Sequence, residues 1–161
     1  MEVRPSRPED GVEGFLAERN ADRAARLGTL EDSLAHPHLV AHYADGTLAG
    51  VLTYVIDGDA CEVLTLHAAH RHRGTGTALI AAIEALARDA GCTRLWLITT
   101  NDNVDALRFY QRRGFRLAKL HAGAVEDSRA RLKPGIPKFG DHGIPLRDEL
   151  ELELRMFSSP S

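Results

Sequence analysis

The sequence has few of the features that mark several classes of protein. It has two cysteines, Cys61 and Cys92, so a disulfide framework is excluded. Its apolar runs are short, as at residues 95–98, whereas a membrane-spanning helix needs roughly 20 apolar residues. Residues 1–10 include no apolar stretch, and we expect no signal peptide. The formal net charge of −3 offers no general positive field for nucleic acid. We therefore expect a soluble, cytoplasmic protein without nucleic-acid or membrane partners.

The composition is that of an ordinary globular protein. Apolar residues make up 43% and charged residues 27% of the 161 residues. This length supports one domain with a full hydrophobic core, and the sequence contains no internal repeat. We predict a single domain over residues 1–161.

The first half of the chain predicts helix followed by antiparallel sheet. A short strand is expected around Val3, and residues up to about 35 are helix-prone. Three β-like runs follow at 39–43, 48–56 and 61–67. Turn sequences separate these runs, Asp45-Gly46 and Asp57-Gly58-Asp59, as in β-hairpins.

The second half alternates helix and strand. Apolar residues recur every three or four positions over 76–90, which predicts an amphipathic helix that ends at Gly91. Residues 95–98 predict a strand buried on both faces, and 103–113 predict a helix ended by Gly114. Strands are expected at 115–120 and at 149–156, where leucines alternate with charged residues and one face is buried.

A segment rich in proline and glycine lies between the last two predicted strands. It covers about residues 122–146, and loops longer than about 12–15 residues are uncommon in compact domains unless they bind a ligand or are disordered. Two interpretations stay open: a surface excursion, or a wall of a substrate site.

The stretch from Leu64 to Leu79 has the pattern of a phosphate site. A strand leads into a turn with Gly74 and Gly76 and directly into a helix, whose N-terminus presents N–H groups and the positive end of its dipole. A Walker loop is excluded because no lysine followed by serine or threonine comes after the last glycine. A dinucleotide fingerprint is disfavoured because Leu79 stands where a small residue is needed.

A second stretch of sequence indicates which kind of phosphate-binding site this is. Residues 103–115 have the pattern Asn-x-x-Ala-x-x-Phe-Tyr-x-x-x-Gly-Phe. With Arg71, Gly74 and Gly76 in an Arg-x-x-Gly-x-Gly pattern, the two stretches closely resemble the GNAT superfamily of N-acetyltransferases. The family often has proline at the position of Ala68 and glycine at the position of His72. Neither difference removes a backbone N–H donor.

The resemblance implies both a fold and a reaction. The fold would be α/β, a mixed, mostly antiparallel sheet of six or seven strands flanked by about four helices. The reaction would transfer acetyl from acetyl-CoA, as co-substrate, to a primary amine by direct attack in a ternary complex. A non-catalytic acyl-CoA-binding or sensor module is the alternative.

The resemblance also implies residues that bind acetyl-CoA. Backbone groups of Leu64, Thr65 and Leu66 would lie along the pantetheine arm and supply a donor to the thioester oxygen. Asn103 would bond the arm, although the same residue is suited to capping the helix that follows. The turn and helix start would hold the pyrophosphate, through Arg71, His72, Arg73, Gly74, Thr75, Gly76 and Thr77. The side chains of Arg71 and Arg73 either contact it or are solvated, since the backbone N–H groups suffice.

Two residues are expected to move protons. Tyr110 matches the family tyrosine near the departing sulfur, and a phenol can donate a proton there; packing beside Phe109 is the structural alternative. Glu62, on the strand that leads to the site and on the same face as Leu64 and Leu66, is the candidate base, with a rim carboxylate or a salt-bridge partner as the alternative. His67 and His121 are the runners-up.

Neither cysteine has a convincing base partner, so no acyl-enzyme is expected. The histidine spacing is not that of a closed zinc site, and no metal is expected. A small-molecule amine is the expected acceptor, a protein amine is the alternative, and a homodimer is possible.

Overall fold

The computed structural model describes residues 1–157, which form nine strands and four α-helices. The strands are β1 (Glu2–Pro5), β2 (Arg23–Arg26), β3 (Thr29–Asp32), β4 (His38–His42), β5 (Leu48–Asp57), β6 (Ala60–Ala68), β7 (Arg94–Thr100), β8 (Arg116–His121) and β9 (Glu149–Arg155). The helices are α1 (Val12–Glu18), α2 (Thr75–Asp89), α3 (Val104–Arg112) and α4 (Ala124–Arg131).

Seven of the strands form one mixed, mostly antiparallel sheet, and β2 and β3 form a separate hairpin. The predicted fold class is therefore confirmed. No helix within residues 1–157 is long and apolar enough to cross a membrane. The single domain over 1–161 stays a prediction, and its last four residues lie outside the described part of the chain.

The described residues divide into two compact units, the first made of residues 1–24, 32–95 and 156–157. Its strands follow the order β1-β4-β5-β6, with each neighbouring pair antiparallel. A core cluster of Phe15, Leu16, Ala21, Val40 and Val51 joins α1 to one face of these strands. The opposite face carries α2, because Gly50, next to Val51 on β5, points toward Thr75 and Leu79.

The second unit comprises residues 25–31 and 96–155. Its strands follow the order β7-β9-β8, and β8 is antiparallel to β9. The side chain of Arg26, at the end of β2, lies over the ring of Trp96, 5.7 Å from its centroid. Within this unit the β2–β3 hairpin is also fixed by the N–H of Leu27, which donates to Glu149 Oε1 at 3.0 Å.

The prediction of helix through residue 35 is largely wrong. Only α1 is helical there apart from two short 3₁₀ turns, and Ala24 lies in β2. The missed signal is Leu27-Gly28, because both residues adopt positive φ (49° and 79°). That conformation closes a two-residue hairpin and cannot continue a right-handed helix.

Burial differs from the prediction on two strands. On β7, Trp96 and Ile98 are only half-buried, so one face of the strand is less covered than expected. On β9, Glu149 is 2% exposed, whereas Leu150 and Leu154 are half-buried. Glu149 is tolerated inside because its carboxylate accepts the Leu27 hydrogen bond.

The 122–146 segment is not structureless. It contains α4, which begins after Gly123 (φ 73°) and buries Val125 and Ser128. An ion pair across one turn, Arg131 Nε to Asp127 Oδ1 at 2.7 Å, supports the helix on its exposed side.

Candidate active site

The predicted phosphate motif forms a strand, a turn and a helix within the first unit. β6 ends at Ala68, and α2 begins at Thr75. In the turn between them His72 and Gly74 adopt positive φ, 60° and 77°. The first hydrogen bond of the helix joins Ala78 N to Gly74 O at 3.0 Å, and no side chain caps α2. The N-cap residue therefore contributes no side-chain oxygen to the start of the helix, unlike the serine, threonine, aspartate or asparagine usually found there.

The charged residues of this turn face outward. Arg71, His72, Arg73 and Gly74 are all exposed, and Gly76 and Thr77 follow in the first turn of α2. The α2 dipole adds a partial positive charge at the same place. The turn is thus a local positive site on a chain whose net charge is −3.

Gly50 is a residue of this region that the sequence analysis missed. A Cβ at Gly50 would lie 2.6 Å from Thr75 Cγ2 and 2.8 Å from the His67 carbonyl oxygen. Only glycine lets the start of α2 approach the sheet this closely. A glycine inside a β-like run is the signal that could have identified it, because such a glycine marks the close approach of other backbone.

A β-bulge on β6 changes the predicted position of Glu62. Thr53 pairs with Thr65 and Tyr54 with Val63, so Leu64 is the extra residue. Directly paired residues share a face of the sheet and alternate along each strand. The expectation that Glu62 shares a face with Leu66 is therefore wrong.

The register places Glu62 on the face that carries α1. Glu62 pairs with Val55, and Thr65 and His67 pair with Thr53 and Val51, the latter a member of the α1 cluster. Glu62 is 4% exposed, so its carboxylate is buried rather than a rim group.

The three predicted arm-binding residues lie at the bulge. Thr65 is buried, and its hydroxyl donates to Thr53 Oγ1 at 2.7 Å, so its side chain is already engaged. A bulge locally interrupts the strand ladder and leaves backbone groups of the extra residue unpaired by that ladder. Backbone recognition at Leu64–Leu66 is therefore compatible with this geometry.

The pKa values of two further β6 side chains, Cys61 and His67, are shifted in opposite directions. Burial raises the pKa of the Cys61 thiol to about 12, so it is protonated and unreactive at neutral pH. Burial, with a smaller effect of Arg19, lowers the pKa of His67, so its neutral form, which can accept a proton, is favoured.

Asn103 and Tyr110 belong to the second unit, at the start and near the end of α3. Asn103 is the N-cap of α3, since its Oδ1 accepts from Ala106 N at 3.2 Å. Its Nδ2 donates to Thr99 Oγ1 at 3.3 Å. The capping interpretation is therefore present in the structure, and a bond to a cofactor arm stays a prediction.

Tyr110 is 7% exposed and packs edge-on against two phenylalanine rings. The ring centroids lie 5.1 Å from Phe109 and 5.4 Å from Phe115. Burial raises the pKa of the phenol, so it stays protonated across the neutral range. The packing alternative is therefore observed, and it keeps a proton at this position.

The remaining candidates have ordinary partners. His121 Nε2 lies 3.1 Å from Glu151 Oε1, as a half-buried pair between β8 and β9. Within residues 1–157 no group of three or more histidine, cysteine, aspartate or glutamate side chains is arranged to hold a metal ion.

The chain resembles known proteins in both sequence and structure. It is 48% identical over 105 residues to the uncharacterized protein YdhI of Bacillus subtilis (strain 168), a region that is 65% of each chain. It is 45% identical over 108 residues to YxbD, also uncharacterized and from the same strain, over 67% of each chain. The match thus spans about two thirds of the length of these relatives.

A crystal structure of a Bacillus subtilis acetyltransferase in complex with CoA has the same fold. Its TM-score is 0.69 at 17% identity, over 97% of this chain and 99% of that one. The sequence model of the Acetyltransferase (GNAT) family matches residues 5–115. This range contains β6, the Gly74 turn and all of α3, so the chain belongs to the GNAT acetyltransferase family.

Proposed function

We propose that this protein transfers an acetyl group from acetyl-CoA to a primary amine by direct attack in a ternary complex. The observation that carries the proposal is the strand, left-handed turn and uncapped helix at residues 60–89, within the region that matches the family. A helix start with no side-chain cap and with exposed arginines beside it suits a pyrophosphate. The relative crystallised with CoA supports the choice of co-substrate.

Acetyl-CoA would bind mainly to backbone. The residues from Arg71 to Thr77 would hold the pyrophosphate, and the bulge at Leu64–Leu66 would bond the pantetheine arm. Asn103 would contribute its Nδ2, since its Oδ1 is used by the cap. The acetyl thioester supplies an electrophilic carbon and a leaving thiolate.

The proposed transfer forms one bond and breaks one. The amine nitrogen bonds to the acetyl carbon, the carbon–sulfur bond breaks, and the electron pair leaves on sulfur. A protonated amine loses two protons in this reaction: Glu62 would take the first, directly or through water, to give the neutral nucleophile, and the second leaves to water as the amide forms. His67 on the same face is the runner-up base. A lysine-like amine has a pKa of about 10.4, so a base must first generate the neutral nucleophile.

Tyr110 would stabilise the departing sulfur. Its raised pKa keeps the hydroxyl protonated, but it also makes complete transfer to a thiolate, whose conjugate acid has a pKa of about 8.5, less favourable. We therefore assign Tyr110 a hydrogen bond to the developing thiolate; the sulfur receives its proton through the Tyr110 hydroxyl, which regains one from water at the same time. The high pKa of Cys61 supports direct attack without an acyl-enzyme.

The acceptor is proposed to be a small-molecule amine, with a protein amine as the alternative. A homodimer and a cytoplasmic location stay predictions from the sequence.

The proposal is tested by thiol release from acetyl-CoA with a panel of amines. We expect amine-dependent release, a fall in kcat of about 10- to 100-fold in Tyr110→Phe, and in Glu62→Gln the loss of the acidic limb of the pH–rate profile, where the base becomes protonated. Thermal stabilisation by acetyl-CoA without turnover on any amine would favour the sensor alternative. Acetyl label that stays on the denatured protein as a productive intermediate would disprove direct attack.

A further inference from the structure

The turn between β7 and α3 is hydrogen-bonded to residues 140–148, the segment that leads into β9. Asn101 makes four of these hydrogen bonds, all within the second unit. Its Nδ2 donates to Pro145 O at 2.9 Å, and its N–H donates to Asp148 O at 3.0 Å. Its Oδ1 accepts from Arg147 N and Asp148 N, both at 3.0 Å. These hydrogen bonds therefore fix the backbone of residues 145–148 against the turn.

Asp102 makes a second, buried attachment to the same segment. Asp102 is 6% exposed, and its Oδ2 accepts a hydrogen bond from Asp141 N at 2.9 Å. The other oxygen, Oδ1, accepts from the hydroxyl of Thr100. A Cβ on Gly140 would overlap the Asp102 carboxylate, so the backbone of the segment lies directly against it.

Asp102 also sits next to Asn103 in one tight turn. The N–H of Asn103 donates to Thr100 O at 3.1 Å, and Val104 N donates to Asp102 O at 2.9 Å. The same Thr100 thus bonds Asp102 through its hydroxyl and Asn103 through its carbonyl. Fixing Asp102 therefore restricts the backbone from which the Asn103 side chain projects.

We propose that Asp102 is a positioning residue for acetyl-CoA binding. Its carboxylate ties the segment around Asp141 to the β7–α3 turn and holds Asn103 in one orientation. This inference rests on the proposed function, because it assumes that Asn103 bonds the cofactor arm. A side chain that is already oriented loses less conformational entropy on binding, so its contribution to affinity is larger.

Asp102→Asn tests the role with almost no change of shape. The new amide offers one accepting oxygen in place of two, so either Asp141 N loses its acceptor or the Thr100 hydroxyl must turn to accept from the amide, and both bonds lose the carboxylate charge. We expect the Kd and KM for acetyl-CoA to rise about 10-fold, with kcat within about threefold of the parent. Hydrogen exchange at the amides of 103–106 should also accelerate.

Asp105→Asn is the matched control. Asp105 is an acid in the first turn of α3, three residues after Asp102. It also faces the segment around Asp141, with its Oδ2 3.6 Å from His142 Nε2. Its side chain is 37% exposed, and exposed ion pairs contribute little. We expect its acetyl-CoA Kd to match that of the parent.

Gly140→Ala approaches the same contact from the segment. The added methyl would displace the Asp102 carboxylate, while every residue of the β7–α3 turn keeps its chemical identity. It should raise the acetyl-CoA Kd in the same direction, and it serves if Asp102→Asn does not fold. In the Asn103→Ala background, Asp102→Asn should raise the Kd no further.

The outcomes separate the two proposals. If the parent and Asp102→Asn bind acetyl-CoA with equal Kd, the positioning role is wrong and the proposed function stands. If Asp102→Asn raises the Kd equally with and without Asn103, the role is wrong as well. A parent that does not bind acetyl-CoA overturns both.

Discussion

The helices α2 and α3 begin in opposite ways. α2 follows a left-handed glycine, has no side-chain cap and is preceded by exposed, positively charged residues. α3 follows Asn103, whose side chain accepts from Ala106 N. The carboxylate of the adjacent Asp102 is buried and accepts two further hydrogen bonds. Helix N-termini attract anions in proportion to the N–H groups that the protein leaves to them. The difference supports the proposal that the start of α2 receives an anion of the co-substrate, whereas the start of α3 is capped by Asn103.

The largest expected effect concerns how α2 is fixed without a cap. If packing against Gly50 holds its start, Gly50→Ala should destabilise the fold by about 2–3 kcal/mol, as overpacking of a tight contact does. Chemical denaturation would measure the difference. Gly14→Ala is the control, because Gly14 lies within α1 with nothing within 4 Å of its added Cβ, and helix propensity should make it neutral or stabilising. Equal stability of Gly50→Ala and the parent would contradict the packing account.

The next effect concerns the closed start of α3. Asn103→Ala should destabilise the protein by about 1 kcal/mol, because a helix cap is lost. Asn103→Asp retains an oxygen for the cap and removes the Nδ2 donor. We expect Asn103→Asp to keep the thermal stability of the parent while its affinity for acetyl-CoA falls. If both properties fall together, Asn103 has no separable cofactor contact.

An effect of similar size at pH 7, which disappears at low pH, concerns a 3₁₀ turn that ends at the carboxylate of Asp10. Asp10 ends the 3₁₀ turn Pro8–Asp10, accepts from Arg7 N at 2.6 Å and forms two hydrogen bonds with Arg4, at 2.7 and 2.9 Å. The bond to Arg4 is the main reason that the pKa of Asp10 is lowered to about 2. A lowered pKa stabilises the fold above the unfolded pKa near 4, and the contribution is lost as the pH falls toward 2.

Asp10→Asn should therefore be less stable than the parent by about 1 kcal/mol at pH 7, after allowance for solvent screening near the surface. The difference should shrink between pH 4 and pH 2, as followed by denaturation at several pH values. A difference that is constant over that range would show that shape, rather than charge, is responsible.

Much of the candidate site could be predicted because its signals are local. The change from β-like runs to helical periodicity locates α2, and Asn103 stands where a helix begins and side-chain oxygens are favoured. The β2–β3 hairpin and the burial of Glu149 could not be predicted from periodicity, because each depends on a contact between residues far apart, Leu27 and Glu149.

The bulge at Leu64 shows how one added residue alters a site. Alternation along β6 predicted that Glu62 and Leu66 share a face, but the register moves Glu62 to the α1 face together with Thr65 and His67. Nothing in the residues of β6 alone specifies the bulge, since it is defined against β5.

The sequence by itself determined the order of helices and strands from β4 to β8, the family motifs and the glycine turn that starts α2. Those features depend on side-chain periodicity and on the φ angles that glycine permits, both of which act over a few residues. Only the tertiary structure decided which face carries Glu62, why Gly50 cannot be larger, and that Asp102 binds the segment around Asp141. These features depend on which distant backbones come into contact, and that is fixed only when the strands pair and the helices pack on them.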